Sequence, residues 1–208
     1  SSTASAVPTD PFENPPSQKL FGGPITATHS FIFNKFNLVD NHMVIVTNEF
    51  ESQYEKLTVA DMEAAWKCVS ELNGLCFFNG GRLAGASQPH KHLQLVPTPI
   101  VDGSEHATPM EVLLLGRPGN PMEPFKPAIL PDLPFFNLFA RVSAATQELD
   151  TPKLLHQLYT DMLNLAEPQY IRIGIEQPWC FNLLLTKSWM LIVPRSKECV
   201  DDTTISIN

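Results

Sequence analysis

No stretch of the chain approaches the roughly 18 consecutive apolar residues that cross a bilayer. The opening SSTASAVPTDPFENPP holds neither the basic nor the hydrophobic segment of a secretory leader, so a cytoplasmic protein is the expectation. Basic residues are scarce. Fourteen Lys and Arg stand against 22 Asp and Glu, for a formal net charge of -8, and the chain lacks the basic stripe that grips nucleic-acid phosphates over an extended surface. That argues against a nucleic-acid partner, and the absence of a spanning segment argues against a membrane one. A small anionic ligand remains open, met locally by Lys35, Arg82, backbone amides and imidazoles. The four cysteines, Cys68, Cys76, Cys180 and Cys199, form no C-x-x-C pair, which suits reduced structural thiols better than a zinc site or a disulfide framework. Apolar residues, by contrast, make up 43% of the 208, enough for a sizeable core in one large domain or two small ones.

Proline divides the chain. Residues 1–18 hold Pro8, Pro11, Pro15 and Pro16 with little apolar periodicity and read as an extended surface arm; ordered structure is expected over 19–208. HSFIFN (29–34) and HMVIVT (42–47) read as an antiparallel strand pair. Thr58, with Asp61 three positions on, caps a helix in which Leu57, Met62, Ala65, Trp66, Val69 and Leu72 recur near helical spacing, until Asn73 and Gly74 stop it. LCFFN (75–79) reads as a buried strand, NGGRLAGASQP (79–89) as a glycine loop and HKHLQLV (90–96) as a further strand. Nine prolines between 97 and 134 predict an ordered surface excursion without long elements. FFNLFARV (135–142) predicts a strand. Thr151-Pro152 opens a helix to about Ala166 with Leu154, Leu155, Leu158, Met162 and Leu165 as its buried face. CFNLLLTKSWMLIVPR (180–195) predicts a hairpin turning near Thr186 to Ser188. It echoes the first strand pair, apolar strand, connection, then M-[VL]-I-V, which makes 180–208 a candidate second half of a diverged internal duplication. The expected fold is α+β, an antiparallel sheet with helices packed on it.

Strand alternation puts His90, His92 and Gln94 on one face of 90–96 and Lys91, Leu93 and Leu95 on the other. A polar face opposite apolar residues is either solvent or a cleft. The preceding loop favours a cleft, because Asn79, Gly80, Gly81, Gly85, Ser87 and Gln88 supply backbone donors and short polar side chains where an anion would lie. H-x-H alone also fits a structural pair or a metal pair. No carboxylate lies near it in sequence to complete a two-histidine, one-carboxylate site.

GASQPHKHLQLVPTP resembles the active-site strand of the histidine triad superfamily, in the transferase branch where H-x-H-x-Q replaces the H-x-H-x-H of the hydrolases. FNKFNLVDNHMVIVTNEFESQ, LCFFNGG, PFFN and FNLLLTKSWMLIVPR, in that order, extend the resemblance over about residues 20–208 to the diadenosine tetraphosphate phosphorylases, or ATP adenylyltransferases. That resemblance implies His92 as a transiently adenylylated nucleophile, its other ring nitrogen held by the His90 carbonyl, with the His90 side chain in support. It implies Gln94 and Ser87 bonding the reacting and leaving phosphate oxygens. Asn79, Gly85 and Gln88 would help bind the phosphate chain, with Lys35 offsetting its charge. The implied partners are a dinucleoside polyphosphate, ATP, ADP and inorganic phosphate. Magnesium is expected on the polyphosphate, with no residue identifiable as its ligand and no organic cofactor. Oligomeric state is left open.

Two features depart from the pattern. Pro89 before H-x-H also occurs in hexose-1-phosphate uridylyltransferases, so uridylyl transfer is the nearest alternative, beside nucleotide hydrolysis or a non-catalytic nucleotide- or metal-binding protein. The resembling family also normally carries more chain on both sides of these residues, which predicts a fragment or an unusually short member.

Overall fold

A computed structural model describes residues 10–12, 20–35, 39–101, 103–104, 108–115, 123–143, 150–175 and 180–198. Its frame is one antiparallel sheet of eight strands: β1 (Phe21–Pro24), β2 (His29–Phe33), β3 (Met43–Thr47), β4 (Gly74–Gly80), β5 (His92–Pro97), β6 (Leu138–Arg141), β7 (Cys180–Leu185) and β8 (Trp189–Arg195). They lie side by side in the order β1-β2-β3-β5-β4-β7-β8-β6. Two long helices, α1 (Val59–Leu72) and α3 (Thr151–Arg172), a short one, α2 (Glu111–Leu115), and a 3-10 turn at Arg82–Ala84 accompany the sheet. No described helix is long and apolar enough to cross a membrane.

Alternation along the strands gives the sheet two unlike faces. Ile45, Leu93, Leu95, Cys76, Phe78, Leu183, Leu185, Met190 and Ile192 share one face and pack with α1 and α3 into the main core. The opposite face has an apolar cluster at each end. Ile32, Val44 and Val46 meet Phe12 and Leu20 at one end; Leu75, Val96, Trp189 and Leu191 meet Leu114, Leu130 and Phe139 at the other. Part of the 97–134 excursion thus covers the second end, and Trp189 Nε1 donates to Glu111 Oε1 at 2.9 Å. Between the clusters runs a polar strip on β5, β4 and β7. Its register pairs Gln94 with Phe77 and Asn79 with Asn182, which sets all four on this face.

The helices start where local chemistry says they should. Thr58 and Asp61 form the reciprocal capping box, Asp61 N to Thr58 Oγ1 at 3.2 Å and Thr58 N to Asp61 Oδ2 at 2.6 Å. Asn73 ends α1 in the left-handed region, its N–H on the Val69 carbonyl at 3.1 Å. Four expectations need correction. Leu72 is exposed, so the buried stripe of α1 ends at Val69. Helix α3 continues past Ala166 to Arg172 although Pro168 lies inside it. The carbonyl that loses its partner is that of Asn164, an exposed residue whose carbonyl is open to water, while Ala166 and Tyr170 stay in the core. Its buried face is rotated from the expected one: Leu155, Leu158, Tyr159, Met162, Leu163, Ala166 and Tyr170 are buried, while Leu154 and Leu165 are exposed. Strand β6 is also shorter than 135–142, because the Asn137 carboxamide turns back to bond the N–H and carbonyl of Leu130, each at 3.0 Å.

A β-α-β-β unit occurs twice, as β3-α1-β4-β5 and β6-α3-β7-β8, with β4 beside β7 where the two units meet. In this arrangement the last hairpin corresponds to β4–β5 rather than to the first strand pair that its sequence echoes. Of the proline-rich arm only Asp10, Pro11 and Phe12 are described; they lie over the polar strip, and the rest of 1–18 falls outside the described residues. Cys68, Cys76 and Cys180 are buried free thiols, burial pushing Cys68 up to about 11 and Cys76 higher still; Cys199 lies outside the described residues.

Candidate active site

The backbone that carries the histidines is held from both edges. On one side β3 pairs Val46 with His92 and Val44 with Gln94. Just before β5, Ser52 bridges His90, while the Gln53 N–H bonds the Pro89 carbonyl at 2.8 Å and the Lys91 N–H the Glu51 carbonyl at 2.7 Å. Lys91 points to the helix face and is fully buried, its ammonium on the Glu51 carboxylate and 3.6 Å from Asp61. His90, His92 and Gln94 point the other way.

His92 Nδ1 lies 2.8 Å from the His90 carbonyl oxygen, which fixes the proton on Nδ1 and leaves the Nε2 lone pair for the cleft. Burial, with the neighbouring His90, pulls the imidazole below its ordinary pKa, against the opposing pull of the carbonyl bond and the Asp10 charge. It is therefore neutral at pH 7, only 5% exposed, with the Phe12 ring 5.0 Å from its own. A neutral imidazole with one nitrogen tied and the other open is a nucleophile.

Both ring nitrogens of His90 are engaged. Its Nδ1 lies 2.6 Å from Asp10 Oδ2, and its Nε2 2.9 Å from Thr47 Oγ1 and 3.0 Å from the Thr47 carbonyl. With both its nitrogens engaged, H-x-H offers one open nitrogen to the cleft, which does not suit a metal pair. A carboxylate does reach the pair, from 80 residues away, but as the partner of His90.

Gln94 is oriented by a relay. Asn34 Nδ2 donates to His42 Nδ1 at 3.1 Å, and His42 Nε2 donates to Gln94 Oε1 at 2.9 Å. Burial holds His42 below its ordinary pKa, so the ring is neutral and its single N–H faces the glutamine. The Gln94 amine end is thereby left as the donor toward the cleft. His92, Gln94, Ser87, Gln88 and Lys35 line one cavity of about 340 Å³, closed by Pro11, Phe12, Leu20 and the apolar residues of β2 and β3.

Asn79 and Gly85 stand beside this lining. A second relay fixes Asn79. Arg195 Nη1 donates to Asn182 Oδ1 at 2.8 Å, and Asn182 Nδ2 donates to Asn79 Oδ1 and to the Ala84 carbonyl, both at 2.8 Å. A guanidinium can only donate, so both carboxamides are set and Asn79 keeps its amine end for another acceptor. Gly85 has φ of 91° and closes the 3-10 turn, with its N–H on the Arg82 carbonyl at 2.9 Å. That amide is spent within the loop; the glycine is required by its left-handed backbone. Arg82 itself is 81% exposed and points to Glu198.

The residues missed from sequence are Asp10, Phe12, Asn34, His42, Gln53, Asn182 and Arg195. The available signal was a polar side chain inside an apolar strand, Asn182 in CFNLLL being the clearest.

Residues 1–116 match the family model of the Ap4A phosphorylase N-terminal domain, Ap4A being diadenosine tetraphosphate, and residues 131–208 that of the ATP adenylyltransferase C-terminal domain. The chain is 28% identical over 207 residues to Protein APA1 of Saccharomyces cerevisiae, covering 90% of this chain and 60% of that protein. It is 28% identical over 211 residues to diadenosine 5',5'''-P1,P4-tetraphosphate phosphorylase 2 of the same yeast, covering 90% and 61%. It thus spans about three fifths of the length of the curated relatives it matches. The crystal structure of yeast Ap4A phosphorylase Apa2 in complex with AMP matches 96% of this chain and 68% of its own, with a TM-score of 0.79 and 28% identity. The Apa2 complex with Ap4A matches with a TM-score of 0.72 at 27% identity, over 91% of this chain and 65% of that one.

Proposed function

Because this chain belongs to the Ap4A phosphorylase family, we propose that it cleaves diadenosine tetraphosphate with inorganic phosphate to ATP and ADP through an adenylyl-histidine on His92. The observation that carries the proposal is the 2.8 Å contact between His92 Nδ1 and the His90 carbonyl in a buried, neutral imidazole. In the first step the Nε2 lone pair attacks an α-phosphorus, the bond to the bridging oxygen breaks, and ATP leaves. In the second a phosphate oxygen attacks the same phosphorus, the P–N bond breaks, and ADP leaves. Gln94, with its amine end set by His42, and Ser87 would donate to the phosphoryl oxygens where charge gathers; Gln88 and Lys35, on the same cavity, would hold the rest of the chain. Asn79 would donate from the flank.

Magnesium enters this scheme as the counter-ion of the polyphosphate. The lining offers amide, hydroxyl and ammonium groups, which fit anions; among the described residues no group of three His, Cys, Asp or Glu side chains is arranged to hold a metal. No step here depends on a protein-held ion.

Product analysis tests the proposal. Diadenosine tetraphosphate with phosphate should give ATP and ADP in equal amounts, and none of either when phosphate is left out beyond one equivalent of ATP per site. AMP as the product would point to hydrolysis, transfer only from a uridine diphosphate sugar to uridylyl exchange, and binding without turnover to a nucleotide-binding module.

A further inference from the structure

Gln53 is 1% exposed, lies in a turn outside every strand and helix, and lines no part of the cavity. Its carboxamide is nevertheless fully bonded, and to the main chain of the site. Oε1 accepts from the His92 N–H at 2.8 Å; Nε2 donates to the His92 carbonyl at 3.2 Å and to the Asn79 carbonyl at 2.9 Å. An N–H only donates and a carbonyl only accepts, so the orientation has no alternative.

The location explains the need. Strands β4 and β5 are paired from Gly74 and Pro97 to Phe77 and Gln94, and there the ladder ends. Continued by two residues it would bring Asn79 opposite His92. The Gln53 carboxamide stands in that gap instead, engaging three of the four main-chain groups that a direct pairing would have joined, the His92 N–H and the carbonyls of His92 and Asn79. It acts as a spacer where the sheet opens toward the 81–88 loop. The main chain on either side of Gln53 grips the same strand, at Pro89 and Lys91.

We infer that Gln53 is a positioning residue for His92: it fixes the backbone from which the imidazole is aimed and sets the spacing between the nucleophile and the strand that leads into the phosphate-lining loop. The inference rests on His92 being the nucleophile. The bond from Nδ1 to the His90 carbonyl exists only for one placement of the 90–92 main chain, and in-line attack at phosphorus tolerates little error; a displacement near 1 Å costs on the order of 100-fold in rate.

Gln53→Met keeps length and bulk and removes all three bonds. The experiment compares single-turnover formation of the His92 adduct from diadenosine tetraphosphate without phosphate, AMP affinity by titration calorimetry, and the ¹⁵N resonances of the His92 ring, all well below the melting transition. The expected result is an adduct rate lowered about 100-fold, with AMP affinity within about threefold and a loss of the pure Nδ1–H tautomer. Gln53→Glu serves as the conservative variant: in its protonated form it offers one acceptor and one donor, so its rate relative to wild type should rise as pH falls. A folded Gln53→Met protein with a wild-type adduct rate and ring tautomer overturns the inference while leaving His92 as nucleophile. So does a loss of AMP affinity equal to the loss of rate, which marks a general structural defect. Absence of any adduct in the wild type overturns the inference together with the assignment of His92.

Discussion

Replacing His42 by Phe keeps the ring volume and removes both nitrogens, so it cuts the relay from Asn34 to Gln94 without emptying the space beside Phe77. The bond lost to the reacting site is one neutral N–H···O of 2.9 Å, worth about 0.5–1.5 kcal/mol net, or roughly 2- to 13-fold in rate. Freed of its partner, the Gln94 carboxamide can flip, which presents oxygen to an anionic oxygen about half of the time and adds a further factor of about two. The combined loss in the first chemical step is therefore about 5- to 25-fold. That is well short of the roughly 100- to 1,000-fold expected when the donor itself goes, as in Gln94→Leu. Rapid-quench measurement of the first ATP released gives both numbers. The decisive variant is the double one. If His42 acts through Gln94, adding His42→Phe to Gln94→Leu should cost no more than about twofold. Fully additive losses, or a loss confined to KM with kcat intact, would refute the relay.

Burial is the largest cause of the lowered His92 pKa, and Phe12 packs on its ring; Phe12→Ala should let water in, raise that pKa and move the acid limb of kcat/KM to higher pH, whereas an unmoved limb removes the ring from the account. Gly85→Val places a β-branched residue at φ of 91° and should lower Tm through about 1–3 kcal/mol of strain while displacing Ser87 and Gln88 from the cavity, with Gly85→Asn close to wild type in both melting and nucleotide titration. Burial pushes the Asp61 carboxyl up, but the bonds from His29 and Thr58 and the Lys91 charge outweigh it and hold the group below its ordinary range. Its contribution is thus present above the unfolded carboxyl pKa of about 3.9 and lost as pH falls through the lower folded value. Asp61→Asn, which removes the fully buried carboxylate beside the Lys91 ammonium, should cost about 3–5 kcal/mol near neutral pH and flatten the acid end of the Tm profile; a loss below about 1 kcal/mol would show that Glu51 alone carries Lys91.

What could be read from the chain was local. The Thr58 and Asp61 box, the alternation of His90, His92 and Gln94, and the turn at Thr186 to Ser188 depend on neighbours within a few positions, and each stands in the structure. The polar face of β5 against the apolar Leu93 and Leu95 fitted either solvent or a cleft, and the adjoining 79–89 loop favoured the cleft, again from neighbours in sequence. The supports of the site were not legible, because they join residues whose meeting depends on strand order. Asn79 finds Asn182 only because β4 lies beside β7, Gln53 reaches His92 only because β4 and β5 part at Phe77, and Asp10 crosses 80 positions to His90. Helix α3 misled in another way. It runs past Ala166 through Pro168, whose missing bond falls on the solvent face, and the leucines expected to be buried included Leu154 and Leu165 rather than the stripe through Tyr159 and Tyr170.

The central claim is that His92 Nε2 takes the adenylyl group and holds it until phosphate comes. Intact-protein mass spectrometry of wild type quenched after mixing with diadenosine tetraphosphate, phosphate excluded, tests it most directly. The account predicts an acid-labile adduct of one AMP on the peptide containing His92, at up to one per site, formed with ATP release and discharged as ADP when phosphate is added. A wild type that turns substrate over yet never carries the adduct, or carries it on a residue other than His92, would contradict it.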